Sequence, residues 1–173
     1  LRQQGLVAAI AAHAAQGKAV LGVCGGLQML GEALLDPHGV DGNAPGLGLL
    51  PLVTVFEEDK TVKKTTATFA STTGAWERLS SVSVRGYEIH HGQTRQHVAM
   101  NPCVEVMPGL AWQQDSVLGV YLHGLFEDAS FLQALFGDDG SQVPTLEVVM
   151  NGLADFVAQH FEPGALDALV SGS

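Results

Sequence analysis

The chain reads as α/β with some antiparallel β structure, and three observations point there. Ala19-Val20-Leu21-Gly22-Val23 is a short continuous apolar run of the kind buried on both faces of a parallel sheet. Helical apolar spacing lies on either side of it, at residues 6–15 and 27–34. Between residues 46 and 70 the density of β-branched residues rises, which suits consecutive antiparallel strands with one wet face.

In chain order, the first helix carries Leu6, Val7, Ile10 and Ala14 on one face and closes at Gly17. The apolar strand follows and ends at Cys24. The spacing then predicts a helix over 27–34, with Pro37, Gly39 and Gly42 in its exit loop. Residues 52–56 and 61–69 read as two strands, with Lys60, Lys63 and Lys64 on the solvated side. A further strand covers residues 82–91. Its apolar positions change parity between Val84 and Tyr87, which predicts a bulge at Arg85-Gly86. Residues 104–107 and 117–122 supply two more strands, and the second leads directly into His123-Gly124. Residues 132–136 and 145–161 are helical by spacing, residues 137–141 form a surface loop, and residues 171–173 a frayed end.

A length of 173 residues, 46% of them apolar and 15% charged, suits a single domain over 1–173 with a substantial core. A net charge of −10, with 18 acidic against 8 basic residues, argues against nucleic acid or an anionic membrane as the partner. No apolar run is long enough to span a bilayer and no secretory signal pattern opens the chain, so a cytoplasmic setting is expected. Cys24 and Cys103 are expected as free thiols. The chain opens on Leu1 within a helical pattern, which reads as a fragment of something longer.

In Gly22-Val23-Cys24-Gly25-Gly26 a thiol sits where a buried strand turns into a helix. Such a turn lifts the side chain above the sheet and sets it against backbone N–H donors at the positive end of the helix. It also crowds the residues two before and two after, a demand met by Gly22 and Gly26. A lone cysteine is equally read as small apolar packing, and that alternative stands at this level. Nucleophilic chemistry needs a histidine partner. His123 is the candidate, because it follows an apolar strand and precedes a glycine, and strand C-termini share one edge of a parallel sheet. His90 and His91 alternate across a strand, so no metal site is expected there.

The strings Val20-Leu21-Gly22-Val23-Cys24-Gly25-Gly26-Leu27-Gln28-Met29-Leu30-Gly31, Asp36-Pro37-His38-Gly39-Val40, Gly86-Tyr87-Glu88-Ile89-His90 and Gly119-Val120-Tyr121-Leu122-His123-Gly124-Leu125-Phe126 follow one another in the order and spacing of a known family. They resemble the C-terminal glutaminase domain of the cobyric and cobyrinic acid synthase family, and the Gln28 to Gly31 and Asp36-Pro37 segments look closer to the cobyric branch. The resemblance implies a class I glutamine amidotransferase fold, flavodoxin-like and three-layered with added antiparallel strands, here N-terminally truncated. It implies Cys24 as nucleophile and His123 as its acid–base partner, with Gly25, Gly26, Gln28, Tyr87 and Glu88 in the oxyanion and substrate-binding set.

By the same resemblance, glutamine is the substrate and an N-terminal ATP-binding synthetase domain is the partner, acting on a corrin. Neither metal nor cofactor belongs to this domain, and ATP and magnesium are expected only in that other domain. No Gly-x-x-x-x-Gly-Lys-Ser/Thr run occurs in the chain. The sequence departs from most class I amidotransferases at Leu125, where they carry the glutamate that completes a triad. Glu88 is a candidate for that role or for substrate binding, and Glu127 a weaker one. Three other readings stay open: the cobyrinic acid a,c-diamide synthase branch, a cysteine hydrolase on the same turn, and a glutamine-binding module without catalysis.

Overall fold

The computed structural model describes residues 2–39, 42–97, 99, 102–137, 144–162 and 164–165. Helix α1 (Leu6–Ala15) forms where the apolar spacing predicts it. Gly17 closes it in the left-handed region at φ 70°, its N–H returning to the Ala14 carbonyl at 2.8 Å.

Strand β1 (Val20–Val23) then runs into α2 (Gly25–Leu30) with Cys24 between them. The helix expected to continue to residue 34 stops at Leu30, and Ala33–Leu35 forms strand β2 instead. The reason is close backbone contact at Gly31, where an added Cβ would stand 2.6 Å from the Leu52 carbonyl oxygen. That oxygen accepts the Glu32 N–H at 2.8 Å, which draws the chain into a sheet.

After a short β3 (Ala44–Pro45), the two strands expected at 52–56 and 61–69 are one strand, β4 (Leu52–Thr68). It pairs antiparallel with β5 (Ser83–Gln96) along nearly its whole length, interrupted only by a register shift between Val55 and Lys60. The bulge is therefore on β4, opposite Gly92, and not at Arg85-Gly86 as the parity change suggested. Across Arg85-Gly86 the register is regular. Val84, Gly86 and Glu88 all face inward, so the alternation never slips; a glycine and a carboxylate occupy positions where apolar residues were sought.

The rest of the chain adds β6 (Val104–Met107), β7 (Ala111–Gln114), β8 (Val117–Val120), β9 (Leu122–His123), α3 (Ala129–Phe136) and α4 (Leu146–His160). Strand β7 has no counterpart in the sequence reading. The end at 171–173 and residues 138–141 of the expected loop lie outside the described residues.

The strands form two sheets, ordered β1-β8-β7-β6 and β3-β2-β4-β5-β9. Parallel pairing among the described residues joins β1 to β8 and β2 to β4. Strand β1 ends its sheet and is mostly half-buried, so the expectation of burial on both faces holds only at Gly22. Two apolar clusters lie on opposite faces of the four-stranded sheet. Leu118 and Val120 join Phe69, Leu122 and Phe131 on one, while Val117 and Tyr121 join Leu27, Leu50 and Leu52 on the other.

Between β8 and β9 the chain leaves one sheet and enters the other through Tyr121, whose N–H goes to the Leu110 carbonyl at 2.8 Å. That crossing carries His123 to β5. Helix α3 is fixed just beyond it by Asp128, whose Oδ1 accepts the N–H groups of Ser130 and Phe131 at 2.9 and 3.2 Å. Its Oδ2 accepts the Arg85 N–H of β5 at 3.0 Å. Asp128→Ala removes a helix cap and a tie to the sheet together, and it is expected to lower stability in urea titrations by about 1–2 kcal/mol. Asp128→Asn should keep more than half of that contribution.

Candidate active site

The turn from β1 into α2 places Cys24 at φ 52° and ψ −111°, a positive φ rare for a residue with a side chain. Such a backbone costs on the order of 1–3 kcal/mol and persists only where its surroundings enforce it. Two contacts enforce it here. The Cys24 N–H is held by the Val120 carbonyl at 2.8 Å, and the Gln28 N–H by the Cys24 carbonyl at 3.2 Å. Gly22 is sterically required: an added Cβ would meet Leu30 Cδ1 at 2.4 Å and the Gly26 carbonyl carbon and oxygen at 2.8 Å. Gly26 is not under the same demand, since a Cβ there would enter open space, so the crowding expected on both sides of the turn falls on Gly22 alone.

Cys24 and His123 meet at one atom. The Cys24 thiol donates to the Ile89 main-chain oxygen at 3.3 Å, and His123 Nε2 stands 3.3 Å from the same oxygen. Sulfur and ring nitrogen therefore lie within twice that distance, inside the ~7 Å beyond which a paired role fails. Both side chains are half-buried.

Burial dominates the charge balance at Cys24 and pushes its thiol above the ordinary range. The Gly25 N–H and the positive charge of Lys60 act in the opposite direction without overturning it. The N–H donors at the helix start thus do not outweigh burial at this thiol.

The other expected site residues divide into two groups. Tyr87 stands opposite His123 in the β5–β9 register, hence on the same face, and is 43% exposed. Lys64 Nζ lies 5.7 Å from its ring centre. With Gly124 and the neighbouring Arg85, Glu127 and Asp128, Tyr87 lines a cleft of about 810 Å³. Glu88 and Gln28 face the interior. Glu88 accepts from Thr65 Oγ1 at 2.5 Å and pairs with Lys63 Nζ at 3.1 Å, with His90 Nε2 at 3.8 Å.

Gln28 Nε2 donates to the Tyr121 hydroxyl at 3.3 Å, and that hydroxyl also bonds Thr94 Oγ1. The His90 ring stacks on Tyr121 with centres 4.0 Å apart. Glu88 is thus drawn to β4 and His90, and among the described residues no carboxylate lies within ion-pair range of His123. No metal-binding cluster of His, Cys, Asp or Glu occurs among the described residues, and no described helix is long and apolar enough to cross a membrane.

Three participants were missed in sequence: the Ile89 carbonyl, Tyr121 and Lys60. Backbone oxygens carry no sequence signature. The one available signal was negative, since Leu125 in place of a carboxylate requires another group to hold His123.

The charge balance predicts the pH dependence of alkylation. Burial disfavours the charged form, so iodoacetamide modification of Cys24 without substrate should rise with pH through a midpoint above that of a free thiol. Lys60→Gln removes a charge that favours the thiolate and should move the midpoint higher still. A midpoint below the free-thiol range contradicts this balance.

Comparison with known proteins gives this geometry a family. Residues 1–131 match the CobB/CobQ-like glutamine amidotransferase domain. The chain is 65% identical to a protein of Acidovorax ebreus (strain TPSY) over 98% of its length, and 62% identical to one of Polaromonas sp. (strain JS666 / ATCC BAA-500) over 99%. A protein of Methylibium petroleiphilum is 52% identical over 99%. All three are named cobyric acid synthase, and the chain spans about a third of the length of each, 34–35%. Its mixed α/β build agrees with the class I amidotransferase fold. The chain belongs to the CobB/CobQ-like glutamine amidotransferase domain family.

Proposed function

We propose that this chain hydrolyses glutamine to glutamate and ammonia through a thioester on Cys24, and that the ammonia serves ATP-dependent amidation of corrin side-chain carboxylates in cobalamin synthesis. The observation that carries the reading is the convergence of the Cys24 thiol and the His123 ring on one carbonyl, at a strained strand-to-helix turn. The relatives' name, cobyric acid synthase, supports the corrin as acceptor, and the family's description, a glutamine amidotransferase domain, supports glutamine as nitrogen donor.

The Cys24 sulfur attacks the side-chain amide carbon of glutamine as its proton passes to His123, and the tetrahedral oxygen takes up negative charge. The Gly25 N–H, already directed at the sulfur, is placed to stabilise that charge. His123 gives its proton to the departing nitrogen, so the C–N bond breaks and ammonia leaves. It then takes a proton from water, which attacks the thioester carbon and releases glutamate with the thiol restored.

The glutaminase half needs no cofactor. ATP and magnesium belong, in this reading, to a synthetase domain in the remaining length seen in the relatives, and the whole acts in the cytoplasm. Tyr87 lies beside His123, on a cleft whose lining includes neither Cys24 nor His123, while Gln28 braces the turn from behind through Tyr121.

A glutamine-analogue chloroketone should label Cys24 in the complete protein, with excess glutamine protecting it. Cys24→Ser should lower glutamine-dependent amidation by at least about a thousandfold while ammonia-dependent amidation stays within twofold. Labelling blocked by another acyl compound and not by glutamine would favour a different cysteine hydrolase. Unchanged activity in Cys24→Ser would mean a binding module.

A further inference from the structure

We infer that the outward face of the β4–β5 ribbon beside His123 is a docking surface, and that its occupant is an acidic face of the synthetase domain in the same protein. This inference rests on the glutaminase reading and names the surface through which that domain meets it.

Register puts the ribbon and the histidine on one face. Cross-strand pairing matches Lys60 with His91, Val62 with Ile89, Lys64 with Tyr87 and Thr66 with Arg85, and paired residues share a side of the sheet. Tyr87 in turn pairs with His123 across β5 and β9. Lys60, Val62, Lys64, Arg85 and Tyr87 therefore form one exposed patch that runs up to the imidazole. Lys63 alternates to the other side, where Glu88 neutralises it at 3.1 Å.

Two properties mark this patch as incomplete. The first is charge. The chain has 18 acidic and 8 basic residues, yet among the described residues Lys60, Lys64 and Arg85 form no ion pair. The second is apolar exposure. Val62, 67% exposed, is the most exposed large apolar side chain among the described residues, and Tyr87 sits diagonally across the ladder from it. An aliphatic and an aromatic side chain flanked by cations have the make-up of a protein interface, apolar at its centre and charged at its rim. Glu127 and Glu147, which line the adjoining cleft, would repel a phosphate backbone, so the fit is to a folded protein surface that carries carboxylates.

The position of the patch selects the occupant. The chain spans 34–35% of the relatives it matches, so most of each relative's length lies outside it. In the glutaminase reading that remainder consumes the ammonia, and the ammonia is released beside His123. Ammonia that escapes into neutral water is protonated and stops being a nucleophile. A domain seated on the patch closes that side of the site to water and receives the ammonia without its entering bulk solvent.

Two measurements on the complete protein test this. With Val62→p-benzoylphenylalanine, illumination should join the ribbon to a peptide outside residues 1–173 of the same polypeptide, and mixed isotopic labelling distinguishes that from a link between copies. With Lys64→Glu and Arg85→Glu introduced together, the yield of that link should fall at least about fivefold, and glutamate released per amide formed should rise about tenfold. Ammonia-dependent amidation should stay within about twofold of the wild-type rate. Lys60 is left in place because its charge acts on the Cys24 thiol.

No link, a link between two copies, a link to nucleic acid, or a link and ratio that charge reversal leaves unchanged overturns the inference. Chloroketone labelling of Cys24 in the charge-reversed protein shows that its site is folded; without that labelling, the link from position 62 decides alone. In the otherwise wild-type protein, labelled Cys24 without the link overturns the docking surface alone. Failure to label there overturns the glutaminase reading and this inference with it.

Discussion

The 2.8 Å hydrogen bond from the Cys24 N–H to the Val120 carbonyl joins the ends of two parallel strands, and every functional group of the site is placed by reference to that seam. On one side of it β1 turns sharply into α2; on the other β8 turns through Tyr121 into the second sheet. Parallel pairing of Val23 with Val120 sets both turns at the same level. Were the two strands one residue out of register, the thiol and the imidazole would emerge on different levels of the sheet edge. Gly22 and Gly119 make the close approach possible, because a side chain on Gly119 would meet Leu27 at 2.9 Å and Leu50 at 3.0 Å, just as one on Gly22 would meet Leu30.

Behind the seam, a buried polar chain ties α2 to the second sheet. Gln28 bonds the Tyr121 hydroxyl, Tyr121 bonds Thr94, and Thr94 bonds Thr54 at 2.6 Å. Each member satisfies its neighbour, which is what allows hydroxyl and amide groups to sit in an otherwise apolar region. The same enclosure disfavours the thiolate of Cys24 and raises the Tyr121 phenol. The Cys24 thiol donates to the Ile89 oxygen, and His123 Nε2 approaches the same oxygen at 3.3 Å.

Much of this was legible in the sequence. Helix α1, strand β1, the turn at Cys24 and the run into His123 follow from periodicity and from glycine placement. These features are local, and local chemistry dictates them. Errors arose where tertiary contacts decided the outcome. Helix α2 ends early because the Leu52 carbonyl captures the chain, and β4 is a single strand because a bulge absorbs Phe56 to Asp59 without reversing direction. Strand β5 seemed to change parity because its inward positions hold Gly86 and Glu88, residues that no hydrophobic pattern selects. That Cys24 and His123 come close together was readable from the sheet-edge rule, whereas the oxygen on which they meet was not, since every residue possesses one.

The central claim is covalent capture of glutamine by Cys24, and an acid-quenched mixture of the complete protein with glutamine tests it most directly. In the wild-type protein quenched during steady turnover, a γ-glutamyl group should be trapped, and mass spectrometry of the digested protein should find it on the peptide containing Cys24. The account predicts that adduct, together with its absence in Cys24→Ala. An unmodified Cys24 peptide during continuing glutamine turnover, or turnover that survives Cys24→Ala, would contradict it.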